Sequence, residues 1–158
     1  MQKEPMTSEV FDKITALLNE LKTVIRPKIL IAIEEARQLG DLKENAEYHA
    51  AREEQGNTDK KIAELEDTIT KAIIINPENL AHDKVSFGST VKLLDLSDDH
   101  EIIYKIVSSF DSNPDIGHIS FHSPLAKQLL GKSEGDEVHA VLPGGKREFE
   151  VVEIKYVK

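Results

Sequence analysis

Apolar side chains in the first half of the chain recur in steps of three and four residues, the spacing that places them on one face of a helix. Residues 8 to 75 are rich in Ala, Glu, Lys and Leu, and only Pro27, Gly40 and Gly56 interrupt the interior of this region. Two such series are present, and they predict two long helices with heptad seams, the second of which ends near residue 75, before the helix-breaking segment Asn76–Asn79. They consist of Phe11, Ile14, Leu18, Leu21 and Ile25, and of Tyr48, Ala51, Gln55, Thr58, Ile62, Leu65, Ile69 and Ala72.

The two series fit each other as the arms of an antiparallel hairpin, because facing positions have residue numbers that add to 83. Half of 83 places the bend between residues 41 and 42, beside Gly40, which suits a helix end where the backbone takes a positive φ. Each arm would contain about 31 residues and extend for roughly 45 Å. The pairs are Phe11 with Ala72, Ile14 with Ile69, Leu18 with Leu65, Leu21 with Ile62, Ile25 with Thr58, and Ala32 with Ala51.

The first series changes phase after Ile25. Lys28 and Glu35 occupy positions where apolar residues are due, and Pro27 lies beside the change. The apolar positions move by one residue, to Ile29, Ile33 and Ala36. Two interpretations are open: a local kink or stutter caused by the proline, or a new helix that begins with Pro27 in its first turn.

From Val85 onward the pattern changes to short runs of β-forming residues separated by Gly, Pro, Asn and Asp. One short helix is predicted over Ser123–Leu130, with Ser123 as N-cap, Pro124 at its first position and Gly131 at its end. The chain is therefore predicted to be an α+β protein, with a helical hairpin over residues 1–77 and a small β-rich domain over residues 78–158. The predicted strands are Val85–Phe87, Thr90–Leu96, Glu101–Val107, His118–Phe121, Glu137–Leu142 and Glu148–Val157.

Composition and charge narrow the functional classes. The chain has no cysteine, which excludes disulfides and thiolate metal sites. Its net charge of -9 is divided almost evenly, with 11 basic and 15 acidic side chains in residues 1–77 and 9 and 14 in residues 78–158. Neither half has the clustered cations of an autonomous nucleic-acid binder, so another protein would hold any nucleic acid. The chain also has no apolar run of membrane-spanning length, and its first residues lack the apolar run of a signal peptide, so we expect a cytoplasmic protein.

Asp41 and Glu44 at the predicted bend are the main candidates for chemistry. They could cap the second helix, with Asp41 accepting from backbone amides and Glu44 reaching back as in a capping box. They could also bind Mg²⁺, which prefers oxygen ligands and keeps several of its waters. Two carboxylates alone hold Mg²⁺ weakly, so a partner would supply the remaining ligands. The two interpretations are compatible, since a capping carboxylate keeps free lone pairs.

Arg37 and Arg52 are candidates for contacts with a phosphate backbone. They lie on opposite arms and are expected at a similar height near the acidic bend. Solvated helix charges are the alternative interpretation.

The bend and several shorter motifs resemble one known family. The specific segments are Glu34–Arg37 and Gly40–Glu53, and weaker matches follow in the same order at Pro5–Thr7, Phe87–Val91, Ser123–Ala126, Leu130–Lys132 and Pro143–Gly145. Together they resemble the GreA/GreB family of bacterial transcription elongation factors, over essentially the whole chain.

Membership would imply a coiled coil that enters the secondary channel of bacterial RNA polymerase, and a C-terminal domain similar in fold to FK506-binding proteins that docks at the channel rim. Asp41 and Glu44 would help to bind a second Mg²⁺ in the polymerase active site, held jointly with the polymerase and not tightly by the free protein. The polymerase would then cleave backtracked nascent RNA at its 3′ end faster. The chain would be an accessory factor and not an enzyme, with no small-molecule substrate.

Three other functions compete with this one. A non-cleaving relative would plug the channel as an inhibitor, although the presence of Asp41 and Glu44 in the matching frame argues against it. A peptidyl-prolyl isomerase would use an aromatic-lined pocket, which fold similarity alone does not provide. A structural adaptor would tolerate free replacement of the tip sequence.

Overall fold

The computed structural model describes residues 3–41 and 44–158. The chain forms two compact units, one of residues 11–72 and one of residues 3–10 together with residues 73–158. The predicted mixed architecture is confirmed, with a long helical N-terminal region and a C-terminal sheet. The domain boundary after residue 77 stays a prediction; the compact units separate after Ala72, and residues 3–10 group with the C-terminal residues.

The helical unit has two arms that run antiparallel. The first arm contains α1 (Ser8–Glu20), a π-helical turn (Leu21–Ile25) and α2 (Arg26–Arg37), and the second is α3 (Ala46–Lys71). Two ion pairs cross between the arms: Lys22 pairs with Glu66 at 2.7 Å, and Arg26 pairs with Asp59 at 3.3 Å. The residue numbers of the pairs rise along the first arm and fall along the second, as an antiparallel hairpin requires.

The π-helical turn explains the change of phase after Ile25. The amide of Arg26 donates to the carbonyl of Leu21, five residues back, so this turn holds one residue more than an α-helical turn. Pro27, which has no amide hydrogen to donate, lies in the first turn of α2. The stutter and the proline-started helix thus describe one feature. The buried residues of α2 are accordingly Ile29, Ile33 and Ala36.

Burial supports most of the predicted seam and corrects one pair. Ala32, predicted to face Ala51, is exposed, because the extra residue of the π turn rotates it away from the seam. Ile33 takes its place in a buried cluster with Ile29 and Ala51, flanked by half-buried Ile25 and Tyr48. The other predicted core positions are buried or half-buried, but their pairing across the arms and a coiled-coil supercoil stay predictions. Those positions are Phe11, Ile14, Leu18, Leu21, Gln55, Thr58, Ile62, Leu65, Ile69 and Ala72.

Two sequence predictions near the domain boundary are wrong. The second helix ends at Lys71 and not near residue 75, because the next residues form β2 (Ala72–Ile74), which pairs with β1 (Glu4–Met6). The Ile75 amide continues this pairing by donating to the Met6 carbonyl at 2.8 Å. The predicted strand Val85–Phe87 is not a strand, although Val85 exchanges two hydrogen bonds with residues 131 and 132.

The remaining strands are β3 (Ser89–Asp95), β4 (His100–Val107), β5 (His118–Ser120), β6 (Glu137–Leu142) and β7 (Gly145–Tyr156). They form one five-stranded sheet in the order β5-β4-β3-β7-β6. β3 is antiparallel to β4 and β7, β6 is antiparallel to β7, and β4 is parallel to β5. Helix α4 (Pro124–Leu129) begins at the predicted N-cap Ser123 and buries Leu125 and Leu129 against the sheet.

Candidate functional site

The connection between α2 and α3 is longer than the tight bend implied by the seam. α2 ends at Arg37 with Gln38 as C-cap, and α3 begins at Ala46, so the connection covers residues 38–45. Gly40 has a φ of +124°, which confirms the positive φ predicted there, although Gly40 lies two residues beyond the C-cap and not one. Of the predicted bend, residues 42 and 43 lie outside the described residues.

Asn45 connects the ends of the two helices. Its Oδ1 accepts from the amide of Tyr48 at 3.0 Å, which makes Asn45 the N-cap of α3. Its Nδ2 donates to the carbonyl of Ala36, in the last turn of α2, at 2.5 Å. The sequence analysis missed this residue, although asparagine is among the most favoured N-cap residues.

The capping interpretation of Asp41 and Glu44 is therefore wrong. Asn45 occupies the N-cap position, and Asp41 lies five residues before Ala46, the first residue of α3. The error arose because the bend was predicted between residues 41 and 42, so the predicted second helix began several residues before Ala46. Capping of α3 therefore does not account for the acidic residues at positions 41 and 44, and the metal interpretation stays a prediction.

Asp41 and Glu44 line one concave surface at the end of the hairpin, which we call the tip surface. It is formed by Leu39, Asp41, Glu44, Asn45, Ala46 and Glu47. Glu47, in the first turn of α3, adds a third carboxylate that the sequence analysis did not select. All three acids are exposed. The surface thus offers an all-oxygen, anionic set of groups of the kind that hard cations prefer.

Arg37 and Arg52 are both exposed, on opposite arms as predicted. Arg37 is the last residue of α2, whereas Arg52 lies six residues after the first residue of α3, or about 9 Å of helix rise. The expectation of a similar height is therefore not supported. The Arg37 guanidinium lies 4.0 Å from the carboxylate of Glu34, one helical turn earlier. Their role in RNA contact stays a prediction.

A second cluster of possible metal ligands lies at the β3–β4 turn. Asp95, Asp98 and His100 place ligand atoms within 4.8 Å of one another, the one such group of three among residues 3–41 and 44–158. The oxygens of Asp95 are already engaged: Oδ1 accepts from the Ser97 hydroxyl at 2.6 Å and from its amide at 2.9 Å, and Oδ2 accepts from Arg147. The Ser97 hydroxyl, followed by the Arg147 guanidinium, holds the pKa of Asp95 well below its usual range. These bonds assign Asp95 to the stability of the turn.

Comparisons with known proteins match both parts of the chain to one family. Residues 4–74 match the family model described as "Transcription elongation factor, N-terminal", and residues 80–156 match "Transcription elongation factor, GreA/GreB, C-term". The transcription elongation factor GreA of Aliarcobacter butzleri is 54% identical over 156 residues, which cover 99% of this chain and 97% of the relative. GreA of Helicobacter hepaticus is 53% identical, with 99% and 96% covered.

The chain belongs to the GreA/GreB family of transcription elongation factors. The resemblance inferred from the tip and the shorter motifs is thereby confirmed. Among solved structures, the GreA factor homolog Gfh1 of Thermus thermophilus is 26% identical over 98% of this chain and 99% of its own, with a TM-score of 0.47. The family assignment rests on sequence. Within residues 3–41 and 44–158, each helix is too short or too polar to cross a membrane.

Proposed function

We propose that the chain is a transcript-cleavage factor, which stimulates bacterial RNA polymerase to cleave backtracked nascent RNA and so rescues arrested complexes. The polymerase performs the reaction, and the chain acts as a cytoplasmic accessory factor. The observation that carries this proposal is the tip surface, where Asp41 and Glu44 lie together and neither is the N-cap of α3. Family membership supports the role in elongation.

The tip residues fit a metal ion that is shared with the polymerase. Asp41 and Glu44 would hold Mg²⁺ through carboxylate oxygens, and Glu47 borders the same surface. Their exposure fits a site completed by a partner, because two or three carboxylates on an open surface bind Mg²⁺ only weakly by themselves. When bound, Mg²⁺ stabilises charge on the phosphoryl oxygens and lowers the pKa of a coordinated water. The contribution of this chain is to bring two fixed negative charges to that place.

The length of the hairpin supports this role. α3 alone contains 26 residues, which corresponds to about 39 Å of helix. The alternating seam favours a coiled coil, and we propose that it carries the tip through the secondary channel to the nascent RNA 3′ end. The C-terminal sheet and α4, which we propose to be similar in fold to FK506-binding proteins, would dock at the channel rim.

Arg37 and Arg52 would steady the RNA near the acids. Guanidinium groups bind phosphate oxygens well, and both side chains are exposed close to the end of the hairpin. The ion pair between Arg37 and Glu34 is long and exposed, so it contributes little to stability and leaves the guanidinium able to exchange partners.

Stalled bacterial elongation complexes test the proposal directly. The RNA is labelled at its 5′ end, the full chain is added with Mg²⁺, and the transcripts are separated by length. We expect RNA shortened at the 3′ end, followed by renewed elongation when nucleotides are supplied. Unshortened RNA together with slower elongation would instead establish the alternative, a channel-binding inhibitor that does not cleave.

A further inference from the structure

We propose that Asn45 is a positioning residue for the tip carboxylates. Its side chain ties the end of α2 to the start of α3 and thereby fixes the segment that carries Asp41 and Glu44. The inference rests on the proposed function, since the position of these acids affects the reaction only if they hold the shared metal ion.

The two partners of Asn45 require an amide. The backbone N–H of Tyr48 can only donate, and the carbonyl of Ala36 can only accept. A primary amide presents one acceptor and two donors on the same short side chain, whereas an ionised aspartate presents acceptors only. Serine can cap the helix, but its hydroxyl stands on a single carbon and is too short to make the second bond as well. The bond to Ala36 therefore distinguishes asparagine from the other good N-cap residues.

Both anchor points belong to the core of the hairpin. Ala36 is buried, and Tyr48 packs against the cluster formed by Ile29, Ile33 and Ala51. Asn45 thus connects the tip to packed parts of both arms.

The bond from Asn45 to Ala36 closes a loop of residues 37–44, which contains Asp41 and Glu44. A closed loop has fewer conformations than an open one, so the two carboxylates occupy a narrower range of positions. Asn45 also lines the tip surface, directly beside them. Without the bond, the loop could widen while α3 keeps its cap and the acids keep their charge. A displacement of about 1 Å from the productive geometry can cost on the order of a hundredfold in rate.

Three substitutions separate the two bonds. Asn45→Ser and Asn45→Asp keep a good N-cap and lose the bond to Ala36, and Asn45→Ala loses both. Asn57→Ser is the matched control, because Asn57 is an exposed residue within α3. For each full-length variant, the rate of RNA shortening in stalled complexes is measured against factor concentration at fixed Mg²⁺. Hydrogen exchange at the Tyr48 amide reports whether the cap is intact.

We expect Asn45→Ser to lower the maximal cleavage rate about tenfold or more, with the half-saturating factor concentration and the Tyr48 exchange rate unchanged. Asn45→Asp should behave in the same way, Asn45→Ala should also speed exchange at Tyr48, and Asn57→Ser should match the wild type. A wild-type maximal rate for Asn45→Ser would overturn the inference, and so would a loss confined to the half-saturating concentration. In both cases cleavage by the wild type would leave the proposed function standing, whereas a wild type that does not stimulate cleavage would overturn both.

Discussion

Ile33→Ala is expected to lower the free energy of unfolding of the hairpin by about 2–3 kcal/mol. Ile33 is only 7% exposed and packs with Ile29 and Ala51. Truncation of a buried isoleucine to alanine costs about 2–5 kcal/mol, depending on how far the neighbours close over the cavity. The cluster here is small, and half-buried Ile25 and Tyr48 at its border can move inward. The cost should therefore fall at the lower end of that range.

Ile31→Ala is the matched control, because it makes the same chemical change two residues away on the same helix. Ile31 is 59% exposed, so its truncation should change the free energy of unfolding by no more than about 0.5 kcal/mol. Alanine is also the better helix former, which favours a small gain in stability. Urea unfolding followed by the helical circular dichroism signal would give both values.

Similar losses for the two variants would refute this reasoning. They would show that the arm is not rotated as the π-helical turn at Leu21–Ile25 requires. A larger loss for Ile31→Ala would contradict the observed seam outright, since it would place the opposite face of α2 (Arg26–Arg37) against α3.

Three further predictions concern other parts of the chain. Asp95→Asn should destabilise the protein at pH 7. The pKa of Asp95 is lowered in the folded protein, so its contribution to stability is present above about pH 3.9 and is lost as the pH falls toward the lowered pKa. Thermal melts of the variant and the wild type should therefore converge in acid. Gly88→Ala should cost about 2 kcal/mol or more in a denaturant titration, because Gly88 has a φ of +85° and a Cβ there would lie 2.5 Å from the Cβ of Pro77. Replacing both Arg37 and Arg52 by Ala should weaken cleavage and make it more sensitive to salt. Unchanged crosslinking of the RNA 3′ segment in this double variant would favour the alternative interpretation, in which both residues are solvated helix charges.

The helical hairpin and most of the sheet were predictable because apolar residues on the buried face of a helix or strand recur at a regular spacing along the sequence. The apolar spacing identified both arms, and the Ser123–Pro124 start identified α4 (Pro124–Leu129). The phase change after Ile25 was also visible in the sequence. Its cause was not, because the choice between a kink and a π-helical turn depends on backbone hydrogen bonds that side-chain spacing does not encode.

The N-cap of α3 could not be chosen from local preference, because Asp41 and Asn45 are equally good capping residues. The bond from Asn45 to Ala36, on the other arm, fixes the observed choice, and such contacts are invisible to a local pattern. The end of α3 was misplaced for a similar reason, since the strand at Ala72–Ile74 forms only by pairing with Glu4–Met6, far away in sequence. For Asp41 and Glu44, physical pattern alone left capping and metal binding open, and the family resemblance favours metal binding, which stays a prediction.

The most direct test of the central claim is cleavage by Asp41→Asn and Glu44→Gln in stalled elongation complexes across a Mg²⁺ titration. Both variants keep size and polarity and remove only charge, and neither removes the cap of α3, which Asn45 provides. Glu54→Gln, at an exposed position farther along α3, is the matched control. We expect unchanged melting temperature and polymerase binding, a cleavage rate lower by orders of magnitude, and partial recovery at raised Mg²⁺. Cleavage by both variants at the wild-type rate would contradict the account and show that the tip carboxylates do not take part in the reaction.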